Sequence, residues 1–166
     1  MLPAFHRSHL GSRGTAAIEF ALILPLLMLL VLASIEFGRA FYIHDIMAKG
    51  IRDGTRYLAR TPGLAVGTVS TASGFGQNAA NLALRGSTDG TQPLLIPVLE
   101  ADNTGSASVT FTVTKTTDTT AYNETLNYVT GLLTYPFASQ LLTVFGFRGT
   151  FTIAISHNER AIGGGG

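Results

Sequence analysis

The side chain with the clearest chemical significance in this chain of 166 residues is a carboxylate, Glu19, near the start of a long apolar run. A charged residue in an apolar helix is costly, since Asp at the centre of a bilayer costs about 2.5–3.5 kcal/mol and less near the interface. Gly14 lies five residues earlier, and a residue without a side chain lets a protease approach the backbone closely. An ordinary secretory signal has no need of such a carboxylate, so the pattern favours a further role for Glu19.

Two other clusters of polar side chains have types that could bind a metal. His157 and Glu159 are two potential ligands, with no third His or Cys close by in the sequence. His44 and Asp45 are adjacent on a predicted helix, where neighbouring side chains point about 100° apart and do not face each other. Neither cluster reaches the number of ligands that a zinc site needs.

Composition argues against several classes of protein. The chain has no cysteine, so it has no disulfide framework and no thiolate metal site. Its net charge is +1 and only 13% of its residues are charged, whereas nucleic-acid binding requires a basic patch or stripe. No Gly-x-Ser-x-Gly nucleophile motif is present. We therefore expect no enzymatic activity, no catalytic residues, no cofactor, no metal and no nucleic-acid partner.

The segment from Ala16 to Phe37 is mostly apolar, and its only charged residues are Glu19 and Glu36, one near each end. As a helix rising 1.5 Å per residue it would be about 33 Å long, which matches the roughly 30 Å hydrocarbon core of a bilayer. The sequence therefore predicts a single membrane span. Three interpretations are open: a removable secretory signal cleaved after Ala33, a permanent anchor, or a signal cut before the apolar run, which then stays on the mature chain.

A family resemblance favours the third interpretation. Gly14-Thr15-Ala16-Ala17-Ile18-Glu19 resembles the type IV prepilin motif. With Pro25 and Ile35-Glu36-Phe37-Gly38-Arg39, the stretch from Gly14 to about Arg60 resembles the TadE-like family, the minor pilins or pseudopilins of the tight-adherence (Tad) pilus. The resemblance implies that a prepilin peptidase removes the leader, residues 1–14, so that Thr15 becomes the first residue. It also implies that Glu19 acts in subunit assembly, by pairing with the α-amino group of a neighbouring subunit.

The resemblance further implies a function, partners and a location. The protein would act in pilus assembly or initiation at the bacterial inner membrane, as a single-pass protein of the lipid bilayer. Its partners would be the prepilin peptidase, a second, TadF-like pseudopilin, the pilus assembly platform and the major pilin. The alternative is a membrane-anchored periplasmic binding or adhesion module that enters no pilus and keeps residues 1–14. The sequence does not decide between a TadE-like and a TadF-like protein. It also does not decide whether the protein acts at the tip of the pilus, at its base or in its initiation.

Two arguments about the orientation of the span conflict. Prepilin peptidases cut on the cytoplasmic side, so the resemblance implies a cytoplasmic N-terminus and a periplasmic C-terminal domain. The count of basic residues predicts the opposite, because several follow the span closely, Arg39 and Lys49 among them. We adopt the orientation that the resemblance implies.

The helix is predicted to continue beyond the span as an amphipathic segment, residues 39–60. Apolar and small residues recur there at intervals of three and four, which indicates one buried face. They are Ile43, Met47, Gly50, Ile51, Gly54, Tyr57 and Leu58. Gly50 and Gly54 would let another backbone come close, either within this protein's own domain or in a seam with a partner helix. Thr61-Pro62-Gly63 is predicted to end the helix.

The rest of the chain predicts a small β domain. Residues 61–92 are rich in Gly, Ser, Thr and Ala, and they predict loops with a turn at 74–76 and a short helix at 77–84. Residues 93–162 predict an antiparallel domain, mostly from alternation of apolar and polar residues. Its predicted strands cover 94–99, 108–115, 125–130 and 149–156, and residues 163–166 form a flexible Gly tail.

The predicted fold class is α+β. A long N-terminal helix, with a transmembrane half at residues 15–38 and an amphipathic half at residues 39–60, packs on a small antiparallel β-sheet head. The aromatic, apolar segment from Leu132 to Phe145 is either part of the core of that head or an exposed patch for a partner pilin.

Overall fold

The structure, a computed structural model, describes residues 12–95, 107–118, 124–144, 146 and 149–162. A long helix and a small antiparallel sheet dominate these ranges, which confirms the predicted α+β class. The helices are α1 (Ser12–Ala59), α2 (Gly74–Arg85) and α3 (Gln140–Val144), and the strands are β1 (Gly67–Val69), β2 (Ser108–Asp118), β3 (Glu124–Ala138) and β4 (Thr150–Arg160).

Helix α1 is continuous over 48 residues and includes Pro25. Its continuation beyond the apolar run confirms the prediction from the amphipathic pattern. The helix ends at the predicted place, where the N–H of Thr61 donates to the carbonyl oxygen of Leu58 at 2.9 Å and Pro62 has no N–H to continue the series. The two halves of α1 have opposite environments: residues 14–32 are all exposed, whereas the apolar stripe from Ile43 onward is buried.

The four strands form one antiparallel sheet in the order β1-β2-β3-β4. Strand β3 lies at its centre between β2 and β4, and Gly131 of β3 is opposite both Phe111 of β2 and His157 of β4. Buried and more exposed residues alternate along β2 and β3, as predicted for strands with one buried face. That face packs against α1 and forms the core.

The core contains large apolar side chains from both the helix and the sheet. The largest of the fully buried ones are Tyr135, Phe111, Ile43, Met47, Ile51, Leu58 and Leu133. Gly131 allows the helix to approach the sheet closely, because a Cβ at that position would overlap the hydroxyl oxygen of Thr55. The Thr55 hydroxyl in turn donates to the carbonyl oxygen of Ile51 at 2.6 Å, so this buried polar group is satisfied within the helix.

The segment predicted to be loop contains more structure than its composition indicates. Residues 67–69 form β1, which pairs with residues 111–113 of β2. Three residues are too few for an alternating pattern to reveal a strand. Helix α2 begins at Gly74, so the predicted turn at 74–76 is the first turn of a helix. Glycine is a poor helix former, and two glycines at this start conceal it.

Strand β3 is one continuous strand, although the sequence pattern predicts its residues as two segments. These are 125–130 and the first half of Leu132–Phe145. Within the described residues the pairing of β3 with β2 ends at Thr134, and Pro136 lies beyond it, opposite Thr152 of β4. The core interpretation of the segment is confirmed for Leu133 and for its neighbours at 135 and 137, which are buried.

Some predictions fall outside the described residues. A strand is predicted at 94–99. Residues 94 and 95 are not in a strand, and residues 96–99 lie outside the described residues. Phe145, the tail at 163–166 and the first 11 residues of the predicted leader also lie outside. Strand β4 begins within the predicted range and continues to Arg160, which brings His157 and Glu159 into the sheet.

Candidate functional site on the exposed half of the N-terminal helix

The exposed half of α1 is an apolar surface without cover. Among the described residues one helix, Gly14–Ala59, is long and apolar enough to cross a membrane. Its most apolar stretch has a mean hydropathy of 2.6, and none of that stretch is buried inside the protein. A core helix of this composition would be enclosed by its own protein, whereas this one needs lipid or another protein around it. The segment is compatible with a single-pass membrane anchor.

The residues predicted for processing and assembly lie at the start of this segment. The bond between Gly14 and Thr15 lies close to the N-terminal end of α1, which is described from Ser12 onward. Gly14 is exposed, and outside its own helical turn no described part of the chain lies within 4 Å of the position that a Cβ would occupy. Thr15 and Glu19 are four residues apart, and they therefore lie on the same face of the helix. Glu19 is exposed on that face.

Glu36, at the other end of the apolar run, contacts the sheet domain. Its Oε1 accepts a hydrogen bond from the backbone N–H of Gln140 at 2.9 Å. Gln140 is the first residue of α3, whose first turn contains no acidic residue of its own. A carboxylate at a helix N-terminus satisfies a free N–H group and interacts favourably with the helix dipole. Sequence reasoning placed Glu36 only at a membrane interface, since no local pattern relates two residues 104 positions apart.

Arg39 lies one turn after Glu36 and contacts the same corner of the sheet domain. Its guanidinium carbon is 5.0 Å from the centre of the Phe137 ring, within the range of a cation–π interaction. Phe137 lies near the end of β3, just before α3. The two charged residues of the Ile35–Arg39 motif thus hold the corner between β3 and α3 against the outer end of the apolar run.

An apolar groove lies beside this corner, between α1 and the sheet domain. We call it the basal groove, and its volume is about 410 Å³. Its apolar walls include Ala33, Phe37, Phe137, Leu141, Leu142 and Phe151.

Gly50 and Gly54 lie under helix α2 of the same chain. A Cβ at Gly50 would overlap the carbonyl oxygen of Ala83, and a Cβ at Gly54 would lie 2.7 Å from the carbonyl oxygen of Ala79. The two glycines therefore allow close packing within the protein's own domain, which is the first of the two predicted interpretations. The surface is not open to a partner helix, because α2 already occupies it.

The two pairs of possible metal ligands, His157 with Glu159 and His44 with Asp45, do not lie among the residues of this site. Nε2 of His157 is 3.3 Å from Oε2 of Glu159, and in the described part of the chain no group of three His, Cys, Asp or Glu could hold a metal ion. Asp45 pairs with Lys49 at 2.7 Å, as the four-residue spacing predicts, and does not join His44. The hydrogen bond and the charge of Lys49 hold the pKa of the Asp45 carboxyl below its usual value.

The described residues thus combine one uncovered apolar helix half, with a carboxylate near its start, and a small antiparallel sheet, an arrangement compatible with a single-span membrane protein. Residues 14–56 match the model of a family described as TadE-like protein. This confirms the resemblance over about a quarter of the chain and associates its helix with the proteins of Tad pili. No curated protein and no solved structure was found to match the chain. The sheet therefore has no counterpart among the comparisons.

Proposed function

We propose that this protein is a minor pilin or pseudopilin of a Tad-type pilus and acts in pilus assembly or initiation at the bacterial inner membrane. One observation carries the proposal. An apolar helix half without cover, which includes Glu19, coincides with the segment that matches TadE-like proteins. A permanent anchor would need the apolar helix but not a carboxylate within it.

The proposed processing site is the bond between Gly14 and Thr15. A prepilin peptidase cuts there on the cytoplasmic side and releases the leader, residues 1–14. Gly14 has no side chain to obstruct the protease, and outside its own helical turn no described part of the chain lies within 4 Å of its Cβ position.

The proposed role of Glu19 follows from the same cut. Cleavage gives Thr15 a free, positively charged α-amino group, which an uncut chain lacks. Thr15 and Glu19 share a helix face within about one turn, so the amino group of one subunit and the carboxylate of the next lie at similar membrane depth. A carboxylate in lipid is stabilised by a cation, and the cut supplies one. The neighbours in this pairing are a TadF-like pseudopilin or the major pilin, assembled on the inner-membrane platform.

Sequencing the N-terminus of protein extracted from membranes tests the processing step. We expect the mature chain to begin at Thr15, and we expect Gly14→Leu to accumulate as the full-length precursor. Gly38→Leu is the matched control, because Gly38 lies on the same helix with open space around it and is far from the cut. A mature chain that begins at Ser34 would indicate a removable secretory signal. An uncut wild-type chain would favour the anchored binding module.

Labelling of a single cysteine tests the proposed orientation. The chain has no native cysteine, and Ser156 is exposed on β4. Ser156→Cys should react with a membrane-impermeant maleimide once the outer membrane is permeabilised, because the sheet domain is placed in the periplasm. Reaction only after lysis of the inner membrane would reverse the orientation, as the count of basic residues predicts.

A further inference from the structure

The basal groove lies at the depth of the membrane boundary. A span that starts at Ala16 and rises 1.5 Å per residue crosses a core of about 30 Å in roughly 20 residues, and so ends near Ile35. Ala33 lies inside that limit and lines the basal groove together with Leu141 and Phe151 of the sheet domain. The base of the sheet domain is therefore level with the last turn of the span, and does not stand above it.

The side chains around the basal groove are those of a membrane interface. Phe37 is 66% exposed and Phe151 is 58% exposed, and both line the groove. Phe41 and Tyr42 follow on α1 and are also largely exposed. Aromatic residues at this position relative to a span are typical of the belt at the level of the lipid headgroups.

The backbone at the base of the sheet domain is suited to a region poor in water. Glu36 accepts from the N–H of Gln140, and the hydroxyl oxygen of Ser139 accepts from the N–H of Leu142 at 3.3 Å. The N–H of Thr143 donates to the carbonyl oxygen of Ser139. These three N–H groups already have partners, so they can leave water without the cost of several kcal/mol per unsatisfied group.

We propose that the base of the sheet domain is a second membrane contact, with lipid acyl chains in the basal groove and α3 lying in the headgroup region. Continuity with the apolar span identifies lipid as the occupant, because Ala33 and Phe37 belong to both surfaces. The proposal rests on the membrane anchor of the proposed function and not on its role in a pilus. By analogy with interfacial helices, the apolar side of α3 reaches about 5–10 Å into the boundary of headgroups and acyl chains.

Depth-dependent quenching in the full chain tests this contact. The protein is reconstituted in vesicles of phosphatidylethanolamine and phosphatidylglycerol that contain brominated acyl chains, and a fluorophore is placed on a single cysteine. Gln140→Cys reports on the base and leaves every apolar side chain of the groove in place, while Ser156→Cys reports on exposed β4 away from the base. We expect bromolipid to quench the fluorophore at position 140 and iodide in the water to quench it at position 156.

Two further variants separate the possible failures. Leu27→Cys, in the middle of the span, should be quenched by bromines deep in the bilayer, and its failure would overturn the anchor itself. In the Gln140→Cys background, Phe151→Asp should lower the bromolipid quenching toward the value at position 156. Phe151 is mostly exposed, so this change does not remove core packing.

Iodide quenching at position 140 equal to that at position 156 would overturn the proposal, since the base would then stand in water. Shielding of position 140 from both iodide and bromolipid would also overturn it, because protein from a second copy would then cover the groove. Quenching of position 140 by bromolipid that Phe151→Asp leaves unchanged would overturn the role assigned to the groove.

Discussion

The two halves of α1 belong to one continuous helix, yet they are built for different surroundings. Between Gly14 and Leu32 apolar residues occur on every side, Glu19 is the only charge, and every residue is exposed. From Ile43 to Ala59 apolar residues form one stripe, which is buried against the sheet and α2, and the opposite side carries charges such as Asp45 and Lys49. The difference shows that periodicity, more than hydrophobicity alone, indicates what a helix packs against.

Because the two halves of α1 have different surroundings, mutations in them should affect different properties of the protein. Residues 14–32 are exposed in the folded chain, so a change there should alter assembly and leave the stability of the sheet domain unchanged. A change in the buried half disturbs close packing, so it should alter stability first. Variants matched across the two halves test whether the division holds.

The largest expected effect is that of Glu19→Ala on assembly. Cells that contain only this variant should make as few pili as cells without the protein, because the proposed partner of the Thr15 amino group is absent. The variant makes the span more apolar, so its insertion and its cut after Gly14 should remain normal. Pilus counts by electron microscopy and blots of membrane fractions measure the two outcomes.

Ile18→Ala is the matched control for Glu19→Ala, since it truncates an exposed neighbour without removing a charge. It should leave pilus number near the wild-type value. The unfolding free energy of both variants should stay within about 0.5 kcal/mol of wild type, as is usual for exposed positions. Normal piliation with Glu19→Ala would sink the assembly role and favour a carboxylate that only reaches the headgroups.

The next effect is the loss of stability expected for Gly50→Ala. The added methyl overlaps the backbone of Ala83, which cannot rotate away, so α2 must shift from α1. Overpacking of this kind costs about 1–3 kcal/mol. Gly38→Ala adds the same methyl to the same helix in open space and should be neutral or stabilising by up to about 1 kcal/mol. Chemical unfolding of the full chain in detergent measures both, and equal stabilities would show that α2 does not pack closely there.

The sequence was sufficient to predict the elements in which the pattern of apolar residues is regular. The run from Ala16 to Phe37, the stripe beginning at Ile43 and the alternation around Phe111 each predicted the element that the structure contains. These patterns repeat because one surface of a regular element has one environment along its length. The family match likewise follows from residues close together in sequence, within 14–56.

The remaining features depend on contacts between distant residues, which leave no local pattern. Strand β1 is a strand only because residues 111–113 pair with it. Gly50 and Gly54 have a spacing that fits a partner helix equally well, and the close approach of α2 decides between the two interpretations. The bond from Gln140 to Glu36 is the clearest case, since the acceptor and the donor lie in different elements far apart in the chain.

The smallest effect concerns that bond, which joins α3 to α1 between its exposed and buried halves. Glu36→Ala removes the acceptor for the N–H of Gln140 and should lower the unfolding free energy by about 1 kcal/mol, as loss of a helix cap does. Glu36→Gln keeps an acceptor oxygen and loses the charge. Because a charge-assisted hydrogen bond is roughly twice as strong as a neutral one, Glu36→Gln should cost about half as much.

Two measurements distinguish this cap from a general effect of charge at the end of the span. Unfolding of the full chain in detergent gives the free energies, and hydrogen exchange at the amide of Gln140 reports the single bond. Exchange should be fastest in Glu36→Ala, intermediate in Glu36→Gln and slowest in wild type, with Glu19→Ala equal to wild type. If Glu36→Ala left both the exchange and the stability unchanged, the bond between Glu36 and Gln140 would not contribute to holding α3 against α1.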